Sequence, residues 1–207
     1  MKKIILLITI LFVSVISTAC INNLAVQELN NKAKEYMEKG ETDKAISRLR
    51  SSIDLDTSIF ETHYNLGVAL IQAKDYEEAI TSLKNAVNLK PDFADSYYSL
   101  AIAYEGLADK IINGVDKESL VSDENPIIEE KINLTESQKI KVVELLNAAI
   151  HNYNQYIVKK PEEKNNGKIE EQINYINKQI LEYNALNNDT QITPENISTS
   201  SKQEIDD

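Results

Sequence analysis

The chain has 207 residues, with five Gly, four Pro, no Trp and a formal charge of −11. So few turn formers beside abundant Ala, Leu, Ile, Glu and Lys argue for one helical domain with few tight turns. A surface this acidic repels phosphate backbones, which argues against nucleic acid as a partner.

The chain opens on Met1-Lys2-Lys3, runs through apolar Ile4 to Ile16 and reaches Ser17-Thr18-Ala19-Cys20. Positive charge, apolar core and small residues, in that order, read as a secretory signal over residues 1–19. The Ala19-Cys20 ending resembles the lipobox of bacterial lipoproteins, with Ser17 where Leu is usual. That resemblance implies cleavage before Cys20 and acylation of its sulfur by palmitate-like chains. The lipid would anchor the protein on the exported side of a bacterial cell membrane or outer membrane. The competing reading is an uncleaved membrane helix, because the uncharged run Ile4 to Cys20 sits at the short edge of the roughly 17–25 residues needed to span. Removing residues 1–19 takes two lysines and leaves a charge of about −13. Cys20 is the only cysteine, so no internal disulfide can form. Residues 20–25 make a leash of at most roughly 17 Å.

From there the sequence repeats. Ala33, Gly67 and Ala101 recur at a step of 34, as do Tyr36, Leu70 and Tyr104, and Leu29, His63 and Tyr97. Ala45 and Ala79, Leu49 and Leu83, and Leu55 and Leu89 keep the same step. Self-similarity at this period is the mark of a helix-turn-helix solenoid. The middle unit, with Leu66-Gly67, Ala79, Leu83, Ala86 and Pro91, resembles the tetratricopeptide repeat. The resemblance implies an all-α, right-handed solenoid of about three repeats spanning 26–161, divided as 26–59, 60–93 and 94–161. Lys32 stands where Leu66 and Leu100 stand, as suits a terminal repeat with one face in solvent. In the third unit the second helix arrives late: Ala149, Tyr153 and Pro161 match Ala79, Leu83 and Pro91 at an offset of 70.

The delay is an insertion at about 114–135, between a helix ending near Asn113-Gly114 and one starting near Glu136 behind the capping-box sequence Thr135-Glu136-Ser137-Gln138. Its acids lack the alternating pattern and central Gly of a calcium loop. It reads as a solvated loop or as a contact element for a partner. Ile169, Ile173, Ile176, Ile180 and Tyr183 then recur by four and three, giving an amphipathic capping helix at 166–186, with a short dimerising coiled coil as the alternative. Residues 187–207 are polar, without aromatics, and read as a disordered tail.

Chemistry is sparse. His63 and His151 both occupy repeat positions, no cysteine nucleophile lies beyond Cys20, and neither a phosphate loop nor a histidine metal spacing occurs. No enzymatic activity, cofactor, metal or small-molecule substrate is therefore expected. Tetratricopeptide proteins commonly hold a peptide or partner helix in a concave groove lined by their first helices. By that resemblance the groove here is formed by Tyr64, Val68, Ile71, Tyr98 and Ile102, with acids at Glu61 and Asp95; Asn30, Lys34, Met37 and Glu105 extend it. The carboxylate clamp of chaperone-binding members is matched at Asn65, but Ser99 and Asp95 stand where basic residues belong. The expected function is a membrane-anchored interaction scaffold of the bacterial cell envelope, binding a protein or peptide in this groove. The alternative is a structural subunit of an envelope assembly, docking through the 114–135 insertion and the outer helix faces.

Overall fold

A computed structural model describes residues 23–114 and 134–189. The signal sequence, Cys20, nearly all of the insertion and residues 190–207 lie outside the described residues, so the lipidation and tail expectations fall outside them too. Seven helices and no strand occur among the described residues. They are α1 (23–38), α2 (Thr42–Leu55), α3 (Phe60–Gln72), α4 (Tyr76–Leu89), α5 (Ala94–Asn113), α6 (Glu136–Lys159) and α7 (Asn166–Asp189). Consecutive helices pack on each other, and α3 also meets α5, so the first helices of neighbouring units lie side by side.

The turns between paired helices show how the repeat is made. Gly40 (φ 73°) ends the first helix of unit one and Lys74 (φ 61°) ends that of unit two, both left-handed. In each case the next residue closes the helix: Glu41 N–H donates to the Tyr36 carbonyl at 2.8 Å, and Asp75 N–H to that of Leu70 at 2.9 Å. This is the six-to-one bond of a helix C-terminus. One further step of 34 falls on Ala108, which is fully buried and helical, so α5 runs on to Asn113. The return helix α6 starts behind a complete capping box: Thr135 Oγ accepts from Gln138 N–H while Gln138 Oε1 accepts from Thr135 N–H at 2.9 Å.

Small residues set the spacing within each pair. Ala33, Ala45, Ala79, Ala101 and Ala149 are fully buried. A Cβ added to Gly67 would meet Leu83 Cγ well inside van der Waals contact, with Cδ2 at 2.8 Å. Around these positions Leu49, Leu70 and Leu83 are buried almost completely, each burial stabilising the fold by about 1.5–3 kcal/mol. This core of units one and two meets a second, formed by α5, α6 and α7, at Tyr104 and Leu107. In α7, Ile169, Ile176 and Ile180 are buried in that second core, with Ile173 and Tyr183 packed beside them. The apolar stripe of α7 therefore faces inward against the array. At the opposite end Lys32 is exposed and pairs with Glu28 at 3.2 Å, because no helix among the described residues covers the face that Leu66 and Leu100 bury.

Candidate binding groove

The first helices bring some of the expected groove residues onto two clefts. One, of about 500 Å³, lies between α1 and α3 and is lined by Asn30, Lys34, Glu61 and Asn65 together with Val26 and Gln27. It rests on a polar network. Asn30 Nδ2 donates to the Val26 carbonyl at 3.0 Å and to Ser52 Oγ and Thr62 Oγ1 at 2.9 Å, while Asn65 Nδ2 reaches Asn30 Oδ1 at 3.5 Å. Ser52 and Thr62 are fully buried, so these bonds satisfy hydroxyls that water cannot reach.

The second cleft, of about 740 Å³, is walled by α3, α5, α6 and the start of α7, with Tyr64, Tyr98, Tyr153 and Tyr156 beside Asp95 and Glu105. Ring packing fixes the tyrosines. Tyr64 sits edge-on to Phe93 with centroids 5.0 Å apart; Tyr98 lies 5.8 Å from Tyr153 and 5.2 Å from Tyr156. At the rim Lys160 Nζ donates to Asp95 at 2.6 Å and stands 5.5 Å from the centre of the Tyr156 ring. Deeper in, Glu105 accepts from the Tyr153 hydroxyl at 2.8 Å and from Gln172 Nε2. Burial pushes the Glu105 carboxyl above its ordinary range, and those two bonds pull it partly back; Asp109, one turn on, is also raised by burial.

The site residues expected from sequence thus divide. Tyr64, Tyr98 and Asp95 line the larger cleft and Glu61 the smaller one. Val68, Ile71 and Ile102 are half-buried and line neither, Ile71 packing on the core of units one and two. Sequence reasoning missed Tyr153, Tyr156 and Gln172 as wall residues. Tyr156 carried a signal: at the offset of 70 it matches Ala86, so a large ring stands where the repeat keeps a small one. His63 is buried and its Nε2 donates to the Thr57 carbonyl at 2.9 Å, a packing role. No cluster of His, Cys, Asp and Glu suited to a metal, and no helix long and apolar enough to cross a membrane, occurs among the described residues.

Comparison with known proteins agrees with this geometry. Residues 67–107 match the family model described as TPR repeat. No curated protein matches the chain. Among solved structures, the first TPR of Spaghetti (RPAP3) bound to the HSP90 peptide SRMEEVD is similar at a TM-score of 0.55 and 15% identity, over 76% of this chain and 94% of that one. The second TPR domain of human RPAP3, in complex with the HSP70 peptide SGPTIEEVD, has a TM-score of 0.54 and 13% identity, over 75% and 98% of the two chains. The Sgt2 TPR domain from Aspergillus fumigatus gives 0.53 and 13%, over 88% and 89%. The fold is an all-α helical repeat of the tetratricopeptide type.

Proposed function

We propose that the chain is a protein-interaction scaffold of the bacterial cell envelope, holding a partner segment on the inner faces of α3 and α5. The observation that carries this reading is the 740 Å³ cleft with four tyrosines in its wall. Tyr presents a large contact area with a polar tip, which is why it dominates many interfaces. Similar folds are known with peptides bound, the HSP90 and HSP70 peptides on the two RPAP3 domains. Anchoring rests on the sequence alone: a lipid on Cys20, three residues before the start of the described α1, would hold the array within roughly 10 Å of a bilayer.

The test is an in-cell crosslink of the tagged chain beside its Tyr64→Ala/Tyr98→Ala variant, with helicity compared by circular dichroism. A partner captured by the wild type and lost from the equally helical variant supports the groove. The same partner retained by both defeats it. One observation favours the second reading, an assembly subunit docking through the insertion: α5 and α6 run to 20 and 24 residues against 13 and 14 for α3 and α4. Under that reading, deleting residues 115–133 abolishes association and the tyrosine substitutions leave it intact.

A further inference from the structure

We propose that the larger cleft selects its partner by a lysine or arginine side chain, which passes along the Tyr98 and Tyr153 rings to meet Glu105; this rests on the groove reading above. The rim of the cleft shows the same chemistry already in use. There the chain's own Lys160 ammonium is held by a carboxylate, Asp95, and stands over a tyrosine ring, Tyr156. Deeper in, the parts recur without a paired cation: Lys168 also lines the cleft but makes no bond to Glu105. Glu105 offers its carboxylate beside Tyr153 and Tyr98, and its hydrogen-bond donors are a phenol and an amide, both neutral.

An ionised carboxylate has about four acceptor positions, and Tyr153 and Gln172 use two of them. Among the described residues no lysine or arginine pairs with Glu105, while Asp109 adds a second negative charge one turn away. Burial, with the Asp109 charge added, therefore holds the ionised carboxylate at a disadvantage that an incoming cation would reduce. A cation over aromatic faces in a desolvated site is attracted more strongly than at an open surface. The volume of about 740 Å³ admits a side chain of that length together with the backbone that carries it. An acidic peptide, by contrast, would bring its carboxylates against Glu105.

The probe is a fluorescein-labelled octapeptide alternating Lys with Ala, compared with one alternating Glu with Ala, titrated by anisotropy against the full chain in mild detergent. The lysine peptide should bind, and Glu105→Gln should weaken it by about tenfold, as should Tyr98→Leu. Asp43→Asn, on the exposed face of α2 far from the cleft, removes one equal charge and should change nothing. Glu105→Gln keeps an acceptor for Tyr153, and the Gln172 amide can turn its oxygen toward the new NH2, so the variant stays folded and the comparison remains valid.

Equal losses from Glu105→Gln and Asp43→Asn would reduce the effect to general attraction by an acidic protein and overturn the proposal. So would equal binding of the glutamate peptide, or displacement of the lysine peptide by a synthetic segment of residues 190–207, which would make the chain its own occupant. The groove reading is separable. If the crosslinked partner is lost from Tyr64→Ala/Tyr98→Ala but kept by Glu105→Gln, the groove stands and the basic anchor falls.

Discussion

Tyr153 on α6 and Glu105 on α5, 48 residues apart in sequence, are joined by a 2.8 Å hydrogen bond in which the phenol donates to Oε2. Gln172 on α7 donates to the other carboxylate oxygen. One acid therefore ties together the last repeat and the helix that closes it. Both donors are neutral, and burial raises the carboxyl above its ordinary 4.5 despite them.

That shift has a pH signature. The folded state holds the Glu105 proton more tightly than the unfolded chain, so ionisation of this group opposes folding. Its contribution is most favourable below the ordinary carboxyl value and is lost as pH rises through the raised one. Glu105→Gln lacks the charge, so it should be more stable than the wild type near neutral pH. The advantage should shrink as the buffer is taken down through the window above 4.5. Urea unfolding of both proteins across that range measures it, and a difference independent of pH would contradict the account.

Lys74 occupies the left-handed position that Gly40 holds one repeat earlier. A side chain there costs about 1–2 kcal/mol, partly offset because glycine is freer in the unfolded chain. Lys74→Gly should accordingly raise stability by about 0.5–1 kcal/mol, read as a higher denaturation midpoint with an unchanged slope.

Two glycines that look alike in sequence should differ when changed to alanine. At Gly67 the new methyl meets the branch of Leu83, which has no exposed surface and nowhere to move. Overpacking of that kind costs about 1–3 kcal/mol, more than the gain in helix propensity of up to about 1 kcal/mol. At Gly106 the clash is with the far edge of the Tyr76 ring, which is only half-buried and so can yield toward solvent more readily than Leu83. Thermal unfolding should show Gly67→Ala the more destabilised of the two.

Thr62 and Ser96 are separated by one repeat step and both are fully buried, yet only Thr62 has partners. Ser96 Oγ has none among the described residues. The reason is one step away: the positions equivalent to Asn30 and Ser52 are Tyr64 and Ala86, which offer it nothing. Thr62→Val removes the bonds to Asn30 and Ser52 and should cost about 0.5–1.5 kcal/mol, Asn30 keeping Val26 and Ser52 as acceptors, while Ser96→Ala should be neutral or stabilising. Equal costs at the two sites, measured by urea unfolding, would mean that the network is not what holds unit one to unit two.

The repeat itself was legible because its spacing is imposed by packing. A residue such as Gly67 must be small wherever two helices approach this closely, so the pattern survives in the sequence at fixed steps. The capping box at Thr135 and the stripe Ile169 to Tyr183 were readable for a similar reason, each being a local rule written in neighbouring residues. The wall of the larger cleft was not. Tyr153 falls where Leu83 falls in the preceding unit and so reads as core, which it also is at 4% exposure. Its second role depends on where α7 lies, and helix placement across a turn leaves no periodic mark. The expected apolar floor was carried over from the tetratricopeptide resemblance, whose groove positions do not separate Val68 and Ile102, which are half-buried and line neither cleft, from Tyr64 and Tyr98, which open onto the larger one.

The closing helix has a consequence for how interchangeable the parts of this molecule are. In a repeat array the last helix is ordinarily a lid that any sufficiently polar helix could replace. Here α7 contributes Gln172 to the bond holding Glu105 and Ile169 to the wall of the cleft. Grafting an idealised cap onto the third repeat would restore solubility and still erase the chemical character of the cavity. Recognition and termination are carried by the same stretch of chain, so one cannot be redesigned without redesigning the other.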